Sequence, residues 1–249
     1  MLDSICRFLD EFLCIREIED YPNALNGLQL ENDGVVTRIG AAVDASESII
    51  EMAVLSKVDL LIVHHGLFWS GLARITGLHY RKLKEAFSSN LAIYSAHLPL
   101  DMHREVGNNV LLARALDLGE PEPFLLHKGH TLGYALSASV DRGELVARLK
   151  RVLGRELWIC PSGPEQISRV GIVTGDAGSE LAKANAQGVD TFVTGEGPHY
   201  TFSMAEELRM NLIYGGHYAT ETFGVRALAE RLALKFNLPW IFLDHPSGL

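Results

Sequence analysis

Two stretches of this chain end an apolar run with a histidine four residues ahead of an acid. They are Ile93-Tyr-Ser-Ala-His97-Leu-Pro-Leu-Asp101 and Ile213-Tyr-Gly-Gly-His217-Tyr-Ala-Thr-Glu221. Upstream of the first, Leu60-Leu-Ile-Val runs into His64-His65-Gly66. Upstream of the second, Thr191-Phe-Val-Thr runs into Gly195-Glu196-Gly197. His64, His65, His97, Asp101, His217 and Glu221 are all nitrogen or oxygen ligands, the stuff of a metal centre when gathered at neighbouring strand ends. They are too many for one catalytic zinc with an open position and suit two divalent ions sharing carboxylates. Without thiolates, zinc, iron, manganese and cobalt all fit, with zinc or iron placed first.

Each piece also has a plainer reading. Adjacent residues on a strand face opposite ways, so His64 and His65 could serve one site only where the strand ends and twists, or could serve two metal ions side by side; a lone pair reads as structural or incidental. Asp101 could equally cap a helix starting near Met102, and Pro99 makes its segment a loop or the first turn of a helix. If a helix begins near His217, the four-residue spacing sets His217 and Glu221 on one face. His199, in Gly197-Pro-His-Tyr200, could relay protons or be a solvated loop residue. Phe68-Trp69 could stack on a base, but plugging an interface is the favoured reading. Gly175-Asp-Ala-Gly178 could turn the chain into an anion-binding helix start, a weak signal.

The elements that must position these residues follow from the apolar pattern. Ile5, Phe8, Leu9, Phe12 and Leu13 predict a helix capped by Asp3 or Ser4, broken by Pro22 and Asn26-Gly27, with Gly27–Glu31 extended. Arg38–Asp44 reads as a strand, Ser46 as the cap of a helix through Leu55, and Val58–Val63 as a strand covered on both faces. The order then recurs: a helix over Glu144–Leu153, extended Glu156–Ile159, a strand at Arg169–Thr174, a helix over Ser179–Ala186 and a strand at Val189–Val193. The offset is constant, 169 − 38 = 131 and 189 − 58 = 131, whereas the His-x-x-x-acid segments give 217 − 97 = 120. The first copy therefore carries 11 extra residues (131 − 120) between Gly66 and Leu91. This predicts an internal duplication, residues 1–119 and 120–249, joined at Glu120-Pro-Glu-Pro123. His130–Val140 and Trp240–Asp244 stand in matching places after the two copies, so the lobes are expected to exchange sheet edges. The class is α/β with mixed sheets and a metal site between two intertwined repeats.

Composition narrows the function. The 249 residues are 47% hydrophobic, enough for a large core, and 22 basic against 31 acidic side chains leave a net charge of −9. Such a surface disfavours nucleic acid and anionic membrane. Cys6, Cys14 and Cys160 form no paired motif and read as reduced core cysteines. The first residues lack a signal-peptide pattern and no apolar run suits a membrane span, so a cytoplasmic protein is expected. There is no Walker loop, no G-x-G-x-x-G after a strand and no G-x-S-x-G elbow.

His64-His65-Gly66, His97-Leu-Pro-Leu-Asp101, Gly107-Asn-Asn109, Gly195-Glu196, Gly216-His217-Tyr-Ala-Thr-Glu221 and Asn26-Gly-Leu-Gln29 resemble the Nif-three-like proteins. That family is known as dinuclear metal centre proteins or GTP cyclohydrolase I type-two homologs. The likeness runs from about Tyr21 to the C-terminus, in the short form without an insert. It departs at Gly66-Leu-Phe, where many relatives have a proline. The resemblance implies two intertwined α/β repeats and a toroidal homohexamer, a trimer of dimers. It also implies metal ligands His64, His65, Asp101, His217 and Glu221, with Glu221 bridging and Asp101 the second candidate bridge. His97 falls beside the site, as a supporting or acid–base group before a ligand, and His199 is the other acid–base candidate. The implied activity is hydrolysis by a metal-activated water, on a nucleotide or another small molecule. The alternative is a metal-binding ring without turnover, serving as scaffold or regulatory partner.

Overall fold

The computed structural model describes residues 1–71 and 73–249. In chain order it contains α1 (Leu2–Phe12), β1 (Gly27–Leu30), β2 (Ile39–Asp44), α2 (Glu47–Leu55), β3 (Leu60–His65), α3 (Gly77–Ser88), β4 (Ala92–Ser95), α4 (Leu98–Asp101) and α5 (Asn108–Ala115). There follow β5 (Glu122–His127), β6 (His130–Asp141), α6 (Arg142–Leu153), β7 (Trp158–Pro161), β8 (Gln166–Ile172), α7 (Leu181–Ala186), β9 (Thr191–Thr194), α8 (Thr201–Leu208), β10 (Asn211–Tyr214), α9 (His217–Thr220), α10 (Thr222–Phe236) and β11 (Trp240–Phe242). Two compact units result. One is Met1–Leu100 with Gly224–His245; the other is Asp101–Phe223 with Pro246–Leu249.

The first unit is built on a sheet of order β1-β4-β3-β2-β11, in which only β1 runs antiparallel to its neighbour. Parallel strands need both faces covered, and β2 and β3 are accordingly apolar throughout until their last residues. One face carries Ile49, Ile50 and Ala53 of α2 against Leu61, Val63 and Ile93. Ser46 caps α2 as expected, accepting the Ile49 N–H at 3.2 Å. Helix α1 instead starts at Leu2, ahead of the expected caps, so Asp3 lies in its first turn, where the helix dipole favours an acid.

The second unit has a sheet of order β5-β6-β8-β9-β10-β7, with β8, β9 and β10 parallel. Val170, Ile172 and Ile213 pack with Leu145 and Leu149 of α6, and Phe192 and Leu212 with Leu181, Ala184 and Ala205. Asp141 caps α6 and Gly154 ends it in the left-handed conformation. Glu122 and Pro123, read as linker, already belong to β5. This is an edge strand, where proline's missing N–H is tolerated.

The expected edge exchange is seen in one strand pairing. Strand β11, at the end of the second copy, pairs with β2 of the first, whereas β6, at the start of the second copy, pairs with β8 of the same copy. The two are not mirror events, because β11 is parallel to its neighbour and β6 antiparallel. A duplicated fastening also marks the copies. Asp59 Oδ2 accepts from Thr37 N, Thr37 Oγ1 and Arg38 N at 2.6, 2.6 and 3.0 Å. Asp190 Oδ2 accepts from Ser168 N, Ser168 Oγ and Arg169 N at 2.8, 2.6 and 3.3 Å. Each partner is displaced by the same 131 residues (168 − 37, 169 − 38, 190 − 59).

The three cysteines are free, and Cys160 is buried. Burial, helped by Asp10 and Asp3, pushes the Cys6 thiol up to about 12, so it stays protonated. Among the described residues no helix is long and apolar enough to cross a membrane.

Candidate metal centre

In the first unit, three histidines converge where β3 and β4 end. One ring nitrogen from each of His64, His65 and His97 lies within 4.8 Å of the others. The strand end supplies the geometry that two successive strand residues otherwise lack: the His64 and His65 rings tilt to 47° with centroids 4.8 Å apart.

Each ring is held from behind. His64 donates Nδ1–H to the Ala96 carbonyl at 2.9 Å. His65 donates to Asp44 Oδ1 at 2.9 Å, and His97 to Asp20 Oδ1 at 2.9 Å. A carbonyl or ionised carboxylate only accepts, so Nδ1 carries the proton in each ring and Nε2 is the basic nitrogen. Metal-binding histidines are oriented in this way. Burial raises the Asp20 carboxyl, but the His97 hydrogen bond and charge, with Asn26 and the Tyr21 N–H, hold it below the usual value.

The early Asn26-Gly-Leu-Gln29 motif supports these loops. Asn26 accepts the His97 N–H at 2.7 Å and donates to Asp20 Oδ2 at 2.8 Å. Gln29 accepts the Leu67 N–H at 2.7 Å and donates to Ala24 O and Leu25 O, both at 3.0 Å. That fixed amide fills the space beside Gly66, where any Cβ would collide with it. Trp69 leans on the cluster, its ring 4.5 Å from His97 and 5.0 Å from His65, centroid to centroid.

In the second unit the ligand set is richer in oxygen. Helix α9 starts at His217, as expected, and His217 Nε2 stands 3.2 Å from Glu221 Oε2. His217 Nδ1 contacts Glu196 Oε1 at 2.7 Å. Burial pulls the His217 pKa down, but its hydrogen bonds and charge attraction to Glu221 and Glu196 prevail and set it at about 9. Glu221 is buried and reaches across Gly175, whose φ of +69° suits glycine and where a Cβ would strike the Glu221 carboxylate. Thr220 Oγ1 accepts the Gly175 N–H at 3.1 Å and ties that turn to α9. Asp176, beside them, is raised by burial and by Glu196, with His217 opposing.

Asp101 is the last residue of α4 rather than a cap at Met102, and Pro99 lies within that short helix. Its carboxylate accepts from Asn108 Nδ2 at 2.8 Å and its carbonyl from Asn109 Nδ2 at 3.1 Å. Asn109 Oδ1 in turn accepts from Thr174 N and Oγ1. The Gly107-Asn-Asn109 motif is thus the mount of Asp101. His199 sits exposed in the turn before α8.

Asp20, Asp44 and the part played by Glu196 were not apparent in the sequence. Asp44 had a signal: it closes β2 and pairs in register with His65. Asp20 lies 77 residues before His97, and no spacing links them.

Histidine and carboxylate groups able to hold a metal ion, on the ends of parallel strands in a mixed α/β fold, define the class of protein. The chain belongs to the Duf34/NIF3 (NGG1p interacting factor 3) family, whose model matches residues 1–247. It is 42% identical over 250 residues to the Deinococcus radiodurans protein named GTP cyclohydrolase 1 type 2 homolog, covering 99% of this chain and 94% of that one. An Archaeoglobus fulgidus protein of the same name is 38% identical, covering 100% and 99%. Among solved structures, TTHA1606 from Thermus thermophilus superposes with a TM-score of 0.92 at 41% identity, covering 100% and 99%. Reduced HcgD from Methanocaldococcus jannaschii gives 0.86 at 27%, covering 98% and 97%.

Proposed function

We propose that this protein is a metal-dependent hydrolase with a dinuclear centre, in which His64, His65, Asp101, His217 and Glu221 hold two divalent transition-metal ions. The observation that carries this reading is the common mounting of the histidines. Each has Nδ1 committed to an oxygen behind it, and burial makes such fixed polar groups costly to assemble without a use. The donor set fits such ions, with nitrogen dominant in one unit and carboxylate in the other. When bound, the pair would supply Lewis acidity and bring the pKa of a bound water toward neutrality.

The chain's own groups would manage protons and position. Asp20 orients the His97 ring and keeps Nε2 as the nitrogen that can accept and return a proton. Asn26 fixes the same residue's backbone, so the ring has little freedom to wander. His199 is assigned a secondary role, carrying protons between solvent and the site. The relatives named GTP cyclohydrolase 1 type 2 homolog support a nucleotide as the first substrate to try. Family likeness also supports self-association; a homohexamer in the cytoplasm is proposed with it, and light scattering of the purified protein measures the size of the oligomer.

The test is turnover by metal-loaded protein across nucleotides, phosphoesters and cyclic amides. Hydrolysis is expected, with His97→Asn losing about 100-fold in kcat at unchanged metal content and His199→Ala losing far less. Metal-loaded protein inert to all three classes would leave the scaffold reading in its place.

A further inference from the structure

Residues within 67–71 and 73–87, from the longer segment of the first copy, line a cavity of about 300 Å³ in the first unit together with Gln29 and Leu30 of β1. Its wall is apolar: Leu30, Leu67, Phe68, Ile75, Leu83 and Phe87 face it. His79, Lys82, Leu83 and Phe87 come from one face of α3, at spacings of three, four and eight residues. The volume is at the lower end of the range for small-molecule sites.

The polar groups at this cavity are few and unequal. Gln29 is spent on Ala24, Leu25 and Leu67. Lys82 is different. Among the described residues it makes no hydrogen bond and no ion pair, and the nearby Glu47 carboxylate is taken by Arg81 at 2.6 and 3.1 Å. Burial at the cavity wall lowers the Lys82 ammonium below its usual range, only partly offset by Glu47 and Asp44. An ammonium left half-buried against an apolar wall wants an anion whose remainder is apolar.

The geometry points to a second binding site, for a monoanionic amphiphile of the medium-chain carboxylate type. Its hydrocarbon would lie among Leu30, Phe68, Leu83 and Phe87, and its carboxylate on Lys82 with His79 beside it. None of the candidate metal ligands is among the described residues that line the cavity, and the second copy offers no longer segment at the corresponding place.

Equilibrium dialysis of the full-length protein with decanoate, decanol and decyltrimethylammonium, all below their micelle concentrations, tests this. Decanoate should bind saturably and at least tenfold more tightly than decyltrimethylammonium, the scale of one charge-assisted hydrogen bond. Lys82→Met should bring decanoate down about tenfold, to the level of decanol, and Lys82→Glu should reverse the charge preference. Both changes are at a partly exposed helix position, so unaltered circular dichroism and metal content are expected. Four outcomes would overturn the proposal. One is equal binding of the three probes, and another is decanoate binding indifferent to Lys82. A third is decanoate binding abolished by a chelator, which would place the carboxylate on the metal ions. A change of oligomeric state in Lys82→Glu without any probe binding would also overturn it, by making the cavity a contact between copies.

Discussion

At the end of β3 the first unit presents His64 and His65, with the Ala96 carbonyl and the Asp44 carboxylate standing behind the rings; the corresponding end of β9 in the second unit presents Gly195 and Glu196. The correspondence holds residue by residue, since 195 − 64, 196 − 65 and 175 − 44 all equal 131. Asp44, which orients His65, has Gly175 as its counterpart, and that glycine is what admits Glu221. Glu196, at the position of His65, becomes the group that braces His217. The same strand ends therefore carry opposite assignments. One unit offers imidazoles with carboxylates in support, the other buried carboxylates with one imidazole. A duplicated scaffold can thus furnish two kinds of ligand without changing its strands.

The strongest way to break this comparison is to remove a ligand from either half. His64→Ala and Glu221→Gln should each lower metal content from about two ions per chain to about one or fewer. If only one of them did so, the units would not share the work. Next in size are the supporting acids. Asp44→Asn and Glu196→Gln should weaken metal affinity about 10- to 100-fold while keeping the fold, as measured by competition with a chromophoric chelator. Equal losses would confirm that these acids do the same job from different places.

A third prediction concerns the metal-free protein. With its pKa raised to about 9, His217 stays protonated in the folded state well above the ordinary histidine value of 6.5. Its contribution to stability is complete below pH 6.5 and is lost as pH rises through about 9. Urea unfolding should show that loss, and Glu196→Gln should shrink it. The smallest expected effect is at the duplicated fastening. Asp59→Asn and Asp190→Asn should each cost about 1 kcal/mol, and a large difference between them would mean that the two copies are secured differently.

Much of this was legible in the sequence because strand ends advertise themselves. Apolar runs closed by His64-His65-Gly66 and by Gly216-His217 marked the positions, and the fixed offset exposed the duplication. The i,i+4 spacing of His217 and Glu221 gave their shared face before any coordinates. What stayed hidden depends on contacts between distant segments. Asp20 reaches His97 through a loop with no periodicity, and Asn26, Gln29, Asn108 and Asn109 act by tying loops whose proximity only the fold creates. The edge exchange was inferred from order alone, but order could not show that β11 crosses to the other copy while β6 pairs within its own. The Lys82 cavity was equally silent, because a lysine on an amphipathic helix reads as solvated until the wall opposite it is known.

The proposal that His64, His65, Asp101, His217 and Glu221 hold metal is tested most directly by elemental analysis of the untagged protein. After purification or reloading, the account predicts about two divalent transition-metal ions per chain, both lost in a variant lacking His64, His65, His217 and Glu221. A value that stays near zero after reloading, at a pH where the histidines are neutral, would contradict it.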